Sequence, residues 1–270
     1  MLYKRYISRH SQDGPGRDGC LYFMAHYLIT GTSSGIGAAL CTRLTQAGHD
    51  VSGIARRKSH LNASAEKINF FQGYQSDVVD KKGLKKTIDL AISNAGPIDV
   101  AILNAGIYQP QDGTRIDPQI YANHMNINYL GVVNALAAIV PDMVRARRGH
   151  IAIVSSVAGW RGLPKSAAYG PTKAALISLA ESLYFDLTPK GVKLQIICPG
   201  FVESEATAIN DFKMPDLISA ENAADKIIEG MKGTDFSINF PKSFTRKMRL
   251  LRFLPDRLFF RVVGKQTGSL

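Results

Sequence analysis

Residues 25–48 read AHYLITGTSSGIGAALCTRLTQAG, a short apolar run followed by a glycine-rich turn and an Ala/Leu-rich segment. This order predicts a strand, a tight turn and a helix. Gly31, Gly35 and Gly37 let the backbone turn sharply and approach a bound molecule closely. Because the first N–H groups of the helix and the positive end of its dipole face such a turn, the stretch predicts an anion-binding site. The alternative is an ordinary loop that contains three glycines.

Downstream of this unit, apolar segments alternate with helical ones. The predicted helices include residues 119–145 and a segment from Tyr169 to about residue 188. Strands that alternate with helices pair in parallel, so the fold class is α/β, a doubly wound parallel sheet in a single domain. The further strands are predicted in residues 49–57, 68–78, 97–106, 150–156, 192–200 and 235–240.

The charge pattern divides the chain into three parts. The formal net charge is +11, and residues 242–270 hold eight Lys or Arg residues and one Asp, a net +7. Residues 1–23 are polar and rich in turn-forming residues, which predicts a flexible extension. The expected organisation is therefore an extension over 1–23, the α/β domain over 24–241 and a basic amphipathic C-terminal tail over 242–270.

Two interpretations of the tail stay open. Basic amphipathic segments lie on anionic membrane surfaces, which predicts peripheral membrane contact through 242–270. The alternative is that the tail packs on the domain or on a second subunit. Pro255 divides the tail into two short pieces, so one long helix is not expected.

Composition excludes several other classes of protein. We see no nucleic-acid-binding module, and no run of about eighteen apolar residues that would span a membrane. The three cysteines have spacings that suit neither a metal site nor a disulfide framework. The sequence therefore predicts a cytoplasmic protein that binds no metal and no nucleic acid.

Tyr169 and Lys173 lie four residues apart in the segment AAYGPTKAAL. On a helix this spacing puts both side chains on one face. An ammonium beside a phenol favours the phenolate and predicts a lowered pKa for Tyr169. Such a phenol passes a proton to or from a carbonyl oxygen. Pro171 is tolerable between them if it lies in the first turn of the helix.

Taken together, these motifs resemble the short-chain dehydrogenase/reductase family in its single-domain form, with the signatures TGxxxGxG and YxxxK. The resemblance covers residues 25–205 well and continues more loosely to about 241. It includes LNAG at 103–106, a helix asparagine at Asn128, Ser156 thirteen residues before Tyr169, and Pro199-Gly200. Ser204 stands where the family usually has Thr. The resemblance implies a Rossmann-type domain.

The resemblance also implies an enzyme that transfers a hydride between a nicotinamide and a carbonyl or alcohol. Tyr169 is then the general acid or base, and Lys173 tunes it and holds the nicotinamide ribose. Ser156 holds the substrate oxygen and Asn128 anchors a water, whereas the neighbouring Ser155 is expected to be structural.

Strand two is expected to end without a carboxylate, at Arg56 and Arg57. A guanidinium fork suits a 2′-phosphate, so these arginines predict NADP(H) rather than NAD(H). The alternative is a pair of solvated surface charges. The implied cofactor-binding set is Gly31, Ser33, Ser34, Gly35, Ile36, Gly37, Arg56, Arg57, Asp77, Val78, Asn104, Ala105, Gly106, Tyr169, Lys173, Pro199, Gly200, Val202 and Ser204.

Trp160 and Leu163 lie between Ser156 and Tyr169 and favour an apolar, lipid-like carbonyl or alcohol as substrate. Arg161 beside them is interpreted as a surface arginine. The expected substrate contacts are therefore Ser156, Trp160, Leu163 and Tyr169, with residues 201–218 as the covering loop. Two rival functions are a non-catalytic NADP(H)-binding sensor and a membrane-surface adaptor. By analogy with the family, we expect a homodimer or homotetramer formed through the helices at 119–145 and after Tyr169.

Overall fold

The computed structural model describes residues 24–57, 70–205, 207–209 and 214–268. The predicted extension at 1–23 and Cys20 therefore lie outside the described residues. In the described part, seven strands alternate with helices. The strands are β1 (His26–Thr30), β2 (Asp50–Ala55), β3 (Phe71–Gln75), β4 (Val100–Leu103), β5 (Gly149–Val154), β6 (Val192–Pro199) and β7 (Ser237–Phe240).

The helices follow the strands in chain order. They are α1 (Gly35–Gln46), α2 (Lys81–Ala95), α3 (Pro118–His124), α4 (Gly131–Ala146), α5 (Gly170–Leu187), α6 (Ala220–Lys232), α7 (Lys242–Arg252) and α8 (Asp256–Thr267). A π-helical stretch, Met125–Leu130, joins α3 to α4. Short 3₁₀ turns occur at Val157–Gly159 and Thr188–Lys190.

The strands form one sheet in the order β3-β2-β1-β4-β5-β6-β7, and every neighbouring pair is parallel. The predicted doubly wound Rossmann-type sheet is therefore confirmed. Residues of β4 are buried throughout because helices cover both faces of a parallel sheet. One face packs against α2, α4 and α5, and the other against α1 and α6.

Local sequence explains where several helices begin. The Asp80 carboxylate accepts from the Gly83 N–H at 3.0 Å, and the Ser219 hydroxyl accepts from the Asn222 N–H at 3.2 Å, so each side chain caps a helix. Ser219 is of a residue type that is strongly preferred at this capping position. β3 is shorter than the predicted segment 68–78, since the turn residue Phe70 has φ of 69° and Asp77 lies in a turn.

Residues Pro118–Ala146 form one helical segment that is long and apolar enough to cross a membrane by length and composition. A helix over 119–145 is predicted from the sequence, but its membrane-spanning length and apolar character are not. The apolar side of α4 packs into the main core, where Val132, Leu136 and Ile139 are buried. Its hydrophobicity is therefore that of a core helix that contacts α2 and the sheet.

The C-terminal segment forms two helices, α7 and α8. Pro255 lies directly before α8, so the predicted division of the tail at this residue is confirmed. Phe244 and Met248 of α7 are buried in a small apolar cluster with Val157. Phe259 and Val263 of α8 are buried as well. The inner faces of both helices therefore pack on the α/β domain, and membrane contact by their outer faces stays a prediction.

Candidate active site

The site lies at the carboxyl ends of β1, β4, β5 and β6. In an open parallel sheet, a crevice forms at this edge where the strand order reverses, here between β1 and β4. The glycine turn, LNAG, Ser156 and Pro199-Gly200 each follow one of these four strands. The topology thus brings motifs that are far apart in sequence to one edge.

The glycine turn leaves no room for side chains. Gly31 has φ of +76°, and a Cβ there would lie 2.7 Å from the Ala105 Cα. A Cβ on Gly37 would lie 2.1 Å from the Gly31 carbonyl oxygen. The Asn104 amide donates to the Thr30 and Gly31 carbonyls at 3.1 and 3.0 Å. Asn104 therefore braces the turn against β4.

Helix α1 begins directly after this turn. Its N-cap residue Ser34 makes no side-chain capping bond, so the first N–H groups of α1 keep the free donors typical of a helix start. Ser204 closes the other side, because a Cβ on Gly35 would lie 3.3 Å from the Ser204 Cβ. The glycine turn, an uncapped helix start and the narrow gap to Ser204 fit the phosphates of a dinucleotide.

Arg57 lies over the glycine turn. Its guanidinium donates to the Ser33 hydroxyl at 3.0 Å and the Ser34 hydroxyl at 3.2 Å, and forms an ion pair with Glu205 at 2.9 Å. Arg56 is exposed, and its carbonyl accepts from the Gln75 amide at 3.1 Å. The structure thus gives the two arginines different surroundings, with Arg57 the one that faces the turn.

Asp77 and Val78 form the turn after β3. The Asp77 carboxylate accepts from the Val79 N–H at 3.0 Å. Val78 is buried, and a Cβ on Gly131 would lie 2.6 Å from its Cγ2. These contacts give both residues structural roles, and their predicted contact with the adenine stays a prediction.

Tyr169, Ser156 and Lys173 converge on one cavity. Tyr169 precedes α5, and Pro171 occupies the first turn, where its missing N–H costs no hydrogen bond. The Ser156 hydroxyl accepts from the Ala158 N–H at 3.1 Å, and the Ser156 side chain lies close enough to the Tyr169 hydroxyl to lower the pKa of Tyr169. The Lys173 Nζ lies 5.5 Å from the Tyr169 ring centroid and donates to the Val154 carbonyl at 2.9 Å.

The predicted lowering of the Tyr169 pKa is wrong for this structure. Burial raises the pKa of Tyr169 to about 12, and the hydrogen bond from Ser156 offsets part of that increase. Burial also lowers the pKa of Lys173 to about 8. Burial is the largest cause of both shifts, and it favours the neutral phenol, the form that donates a proton.

Asn128 is fully buried in the π-helical stretch. Its Oδ1 accepts from the Ile107 N–H at 2.7 Å, and its Nδ2 donates to the Ile107 carbonyl and to the Thr172 hydroxyl at 3.0 and 3.1 Å. A Cβ on Gly106 would lie 3.2 Å from Asn128 Oδ1 and 3.6 Å from Lys173 Nζ. Asn128 thus joins the end of β4 to α5, beside Lys173.

Ser155 and Cys198 lie behind the catalytic candidates. The Ser155 hydroxyl donates to the Lys173 carbonyl at 2.8 Å, which is the structural role expected for it. Cys198 is buried, and burial raises its pKa to about 12. Cys41 and Cys198 are both free thiols, and the described residues contain no His/Cys/Asp/Glu group that could hold a metal ion.

The cavity beside Tyr169 has a volume of about 420 Å³. Leu163 lines it as expected, and so do Ile36, Val202 and the Pro199-Gly200 motif. Trp160 is not among the described residues that line it, so its predicted contact with the substrate stays a prediction. Its side chain packs against the apolar cluster under α7.

Sequence reasoning missed part of the cavity wall. The Tyr108 ring meets the Tyr169 ring edge to face, with centroids 5.2 Å apart. Its position in the sequence, two residues after the LNAG motif, is the feature from which Tyr108 could have been predicted to line the cavity. Several other lining residues come from the C-terminal helices, whose many charges are typical of a surface segment. They are Phe244, Met248, Leu251, Val263, Gln266 and Thr267.

Arg161 is a structural tether and not a surface arginine. Its side chain donates to the carbonyls of Leu251 and Leu254 at 3.3 and 2.6 Å and pairs with Asp256. The guanidinium also stacks 3.8 Å from the Phe259 ring centroid. Arg161 therefore fixes the junction of α7 and α8 to the loop between Ser156 and Tyr169.

Comparison with known proteins agrees with this geometry. The short chain dehydrogenase family model matches residues 25–213. An uncharacterized oxidoreductase of Myxococcus xanthus is 34% identical over 236 residues, 86% of this chain and 93% of the relative.

Two solved structures share the fold. ElxO with NADP bound has a TM-score of 0.70 at 23% identity, covering 80% of this chain and 97% of that one. A 3-ketoacyl-(acyl-carrier-protein) reductase from Brucella melitensis, complexed with NADH, has a TM-score of 0.74 at 21% identity, covering 80% and 96%. The family match, the Myxococcus relative and the sheet topology together show that this chain belongs to the short-chain dehydrogenase family of oxidoreductases.

Proposed function

We propose that the protein is an NADPH-dependent reductase of apolar, lipid-like ketones or aldehydes. The observation that carries this proposal is the convergence of Ser156, Tyr169 and Lys173 on an apolar cavity at the dinucleotide-binding edge of the sheet. A bound nicotinamide would supply the hydride that adds to the carbonyl carbon.

The protein's own residues complete the reduction. Ser156 donates a hydrogen bond to the carbonyl oxygen and stabilises the charge that develops there. Tyr169 gives its hydroxyl proton to that oxygen, which yields the alcohol. The Lys173 ammonium, held by the Val154 carbonyl, stabilises the resulting phenolate. Asn128 holds the end of β4 in place beside Lys173.

The cofactor preference is proposed from Arg57. A 2′-phosphate at the end of β2 would meet the Arg57 guanidinium and the hydroxyls of Ser33 and Ser34, which already lie together. Charge-assisted bonds of this kind favour NADPH over NADH. We expect Arg57→Ala to reduce the NADPH/NADH preference more than Arg56→Ala, measured as the ratio of kcat/KM values. An unchanged ratio in both variants would contradict the assignment.

The substrate class is proposed from the cavity wall. Leu163, Val202, Phe244, Met248 and Val263 give it an apolar surface, whereas Ser156 and Tyr169 offer polar groups at one point. An apolar cavity with a few converging polar groups selects a carbonyl compound with an apolar body. We expect kcat/KM to rise with chain length over a panel of straight-chain ketones.

Replacement of Tyr169 tests the enzyme proposal. We expect Tyr169→Phe to lower NADPH oxidation in the presence of ketone about 10²- to 10⁴-fold, while NADPH binding measured by fluorescence is kept. Tyr184→Phe is the matched control. Tyr184 lies near the other end of the helix that follows Tyr169, its side chain is exposed, and it is not among the residues that line the cavity. Full turnover by Tyr169→Phe would remove this residue from the mechanism. Tight NADPH binding by a wild-type protein that oxidises it with none of the ketones would favour a non-catalytic sensor.

A further inference from the structure

The C-terminal hairpin, defined as α7 and α8 with the turn at residues 253–255, has two apolar sides. Its inner side holds Phe244 and Met248 against the cavity. Its outer side exposes four large apolar side chains, which is unusual because such groups normally avoid water. Their exposed fractions are 72% for Leu250, 77% for Phe253, 50% for Leu258 and 58% for Phe260.

These apolar groups are surrounded by positive charge. Every cation of the hairpin is exposed, and Asp256, the hairpin's one acidic residue, is paired with Arg161. The hairpin combines exposed apolar side chains with cations that nearby carboxylates do not neutralise. The glycine turn and the catalytic edge of the sheet do not show this combination. The cations are Lys242, Arg246, Lys247, Arg249, Arg252, Arg257, Arg261 and Lys265.

We propose that the C-terminal hairpin docks the protein on an anionic lipid bilayer surface. Leu250, Phe253 and Leu258 enter the boundary between headgroups and acyl chains, and the cations bind the lipid phosphates. The charge would also suit a nucleic acid, but a phosphate backbone offers nothing to the exposed leucines and phenylalanines. The bilayer is the surface that matches both properties.

The hairpin is formed before it meets a membrane. Helices of 11 and 12 residues are marginal on their own in water. Here the Arg161 bonds and the buried Phe259 hold them on the domain. Docking therefore does not have to order a disordered segment, which would reduce affinity.

The same hairpin forms one wall of the cavity. Leu251 lines the cavity while its neighbours Leu250 and Arg252 face solvent. A protein docked through the hairpin thus keeps its cavity beside the bilayer, where apolar carbonyl compounds concentrate. The docking proposal goes beyond the reductase proposal and does not need catalysis, so a direct binding measurement tests it separately.

Co-sedimentation of the full-length protein with vesicles tests the proposal. We expect the protein to pellet with vesicles of equal parts phosphatidylcholine and phosphatidylglycerol and to stay in solution with phosphatidylcholine alone. Added salt should release it, because screening weakens the attraction between cations and lipid phosphates. Leu250→Ser/Phe253→Ser and Arg252→Glu/Arg257→Glu should each lower the binding constant about tenfold or more.

Matched changes on α2 serve as controls. Leu90→Ser removes a half-exposed leucine, and Lys82→Glu/Lys86→Glu reverses two exposed charges elsewhere. Both controls should bind vesicles nearly as the wild type does. NADPH fluorescence reports that each variant is folded, and the charge reversal decides the question if the Leu250/Phe253 variant does not fold.

Three results would overturn the proposal. The first is no binding of the wild type to anionic vesicles. The second is equal loss of binding in the hairpin and α2 charge variants, which would indicate a general charge effect. The third is vesicle binding that the hairpin substitutions leave unchanged, while the hairpin binds duplex DNA or a second copy of the chain. DNA retention would reveal the first of these partners, and a changed sedimentation coefficient would reveal the second.

Discussion

Lys173 is a cation that the fold removes from water beside the Tyr169 ring. Its side chain is almost fully buried, and burial lowers its pKa to about 8 from the ordinary value of 10.5. That difference corresponds to about 3 kcal/mol against the charged form in the folded state. Tyr169, the proposed proton donor, therefore lies beside a buried lysine whose charged form destabilises the folded protein near neutral pH.

The linkage between this pKa and stability gives a prediction for Lys173→Met. Between pH 8 and 10.5 the unfolded chain binds more protons at Lys173 than the folded chain does, so this residue makes stability rise with pH in that window. We expect the Met variant to unfold at higher urea concentration than the wild type at pH 7, with an advantage that shrinks as pH approaches 10. Urea titrations of both proteins at each pH measure it.

Taking the difference between the two proteins cancels titrating groups that do not interact with Lys173, such as the buried thiol of Cys41. The lost bond to the Val154 carbonyl reduces the size of the gain but not its pH dependence. A difference that stays constant from pH 7 to 10 would show that Lys173 keeps an ordinary pKa in the folded protein.

If Arg57 binds the 2′-phosphate as proposed, Glu205 would compete with that phosphate for Arg57. The two side chains form an ion pair at 2.9 Å, and both are substantially exposed, so the pair is weak. We predict that Glu205→Gln strengthens NADPH binding about two- to fivefold and leaves NADH binding nearly unchanged, because only NADPH must displace the carboxylate. Fluorescence titration with both nucleotides measures this.

Glu203→Gln is the matched control, since Glu203 is an exposed carboxylate two residues away in the same loop. It should change neither affinity. Equal strengthening of NADPH and NADH binding in Glu205→Gln would mean that the carboxylate acts through the loop and not through the phosphate site.

At the scale of elements, Arg161 shows how one side chain fixes the orientation of two helices. It bonds the carbonyls at the end of α7, pairs with Asp256 at the start of α8 and stacks on Phe259. We predict that Arg161→Ala lowers Tm and raises KM for long ketones several-fold with a smaller change in kcat, because the cavity wall loosens while Ser156 and Tyr169 stay in place. Calorimetry and steady-state kinetics measure these effects.

Arg161→Lys separates charge from geometry. A lysine keeps the positive charge but not the planar fork, so it should restore little of the lost stability. Arg252→Ala, an exposed change on the same hairpin, should leave both Tm and KM near the wild-type values. A KM unaffected in Arg161→Ala would show that the cavity wall does not depend on this tether.

The elements were predictable where the physics is local. Backbone chemistry that nearby residues determine explains the glycine turn and the alternation of strands and helices. It also explains the cap at Ser219 and the first-turn position of Pro171. The pKa of Tyr169 was not predictable in this way, because burial arises from the packing of distant elements. The packing of Trp160 against the cluster under α7 was not predictable either, since Phe244 and Met248 of that cluster lie far along the chain.

The C-terminal helices show the same limit. Their charge and the break at Pro255 are visible in the sequence, but nothing local reveals that Phe244 and Met248 form the cavity wall. These helices are bonded to Arg161, which lies 95 positions before its partner Asp256. A long-range ion pair has no local periodic signal, so only the assembled structure reveals it.

At the scale of the whole molecule, α4 and α5 cover one face of the sheet and present their outer sides to solvent. Leu130, Tyr184 and Phe185 are exposed there, with Phe185 at 77%. We propose that two copies pair through this surface, because covering such side chains is favourable. This surface shares none of the exposed apolar residues on the outer side of the C-terminal hairpin.

We predict that the wild type sediments as a dimer or tetramer and that Phe185→Glu shifts it toward smaller species, because a buried, unpaired carboxylate at an interface is strongly unfavourable. Sedimentation velocity at several protein concentrations measures the shift. Leu90→Glu, on α2, introduces the same charge at a half-exposed leucine and should leave the assembly unchanged. If Phe185→Glu sediments as the wild type does while Phe253→Ser becomes smaller, the copies pair through the hairpin instead, and vesicle binding then competes with assembly.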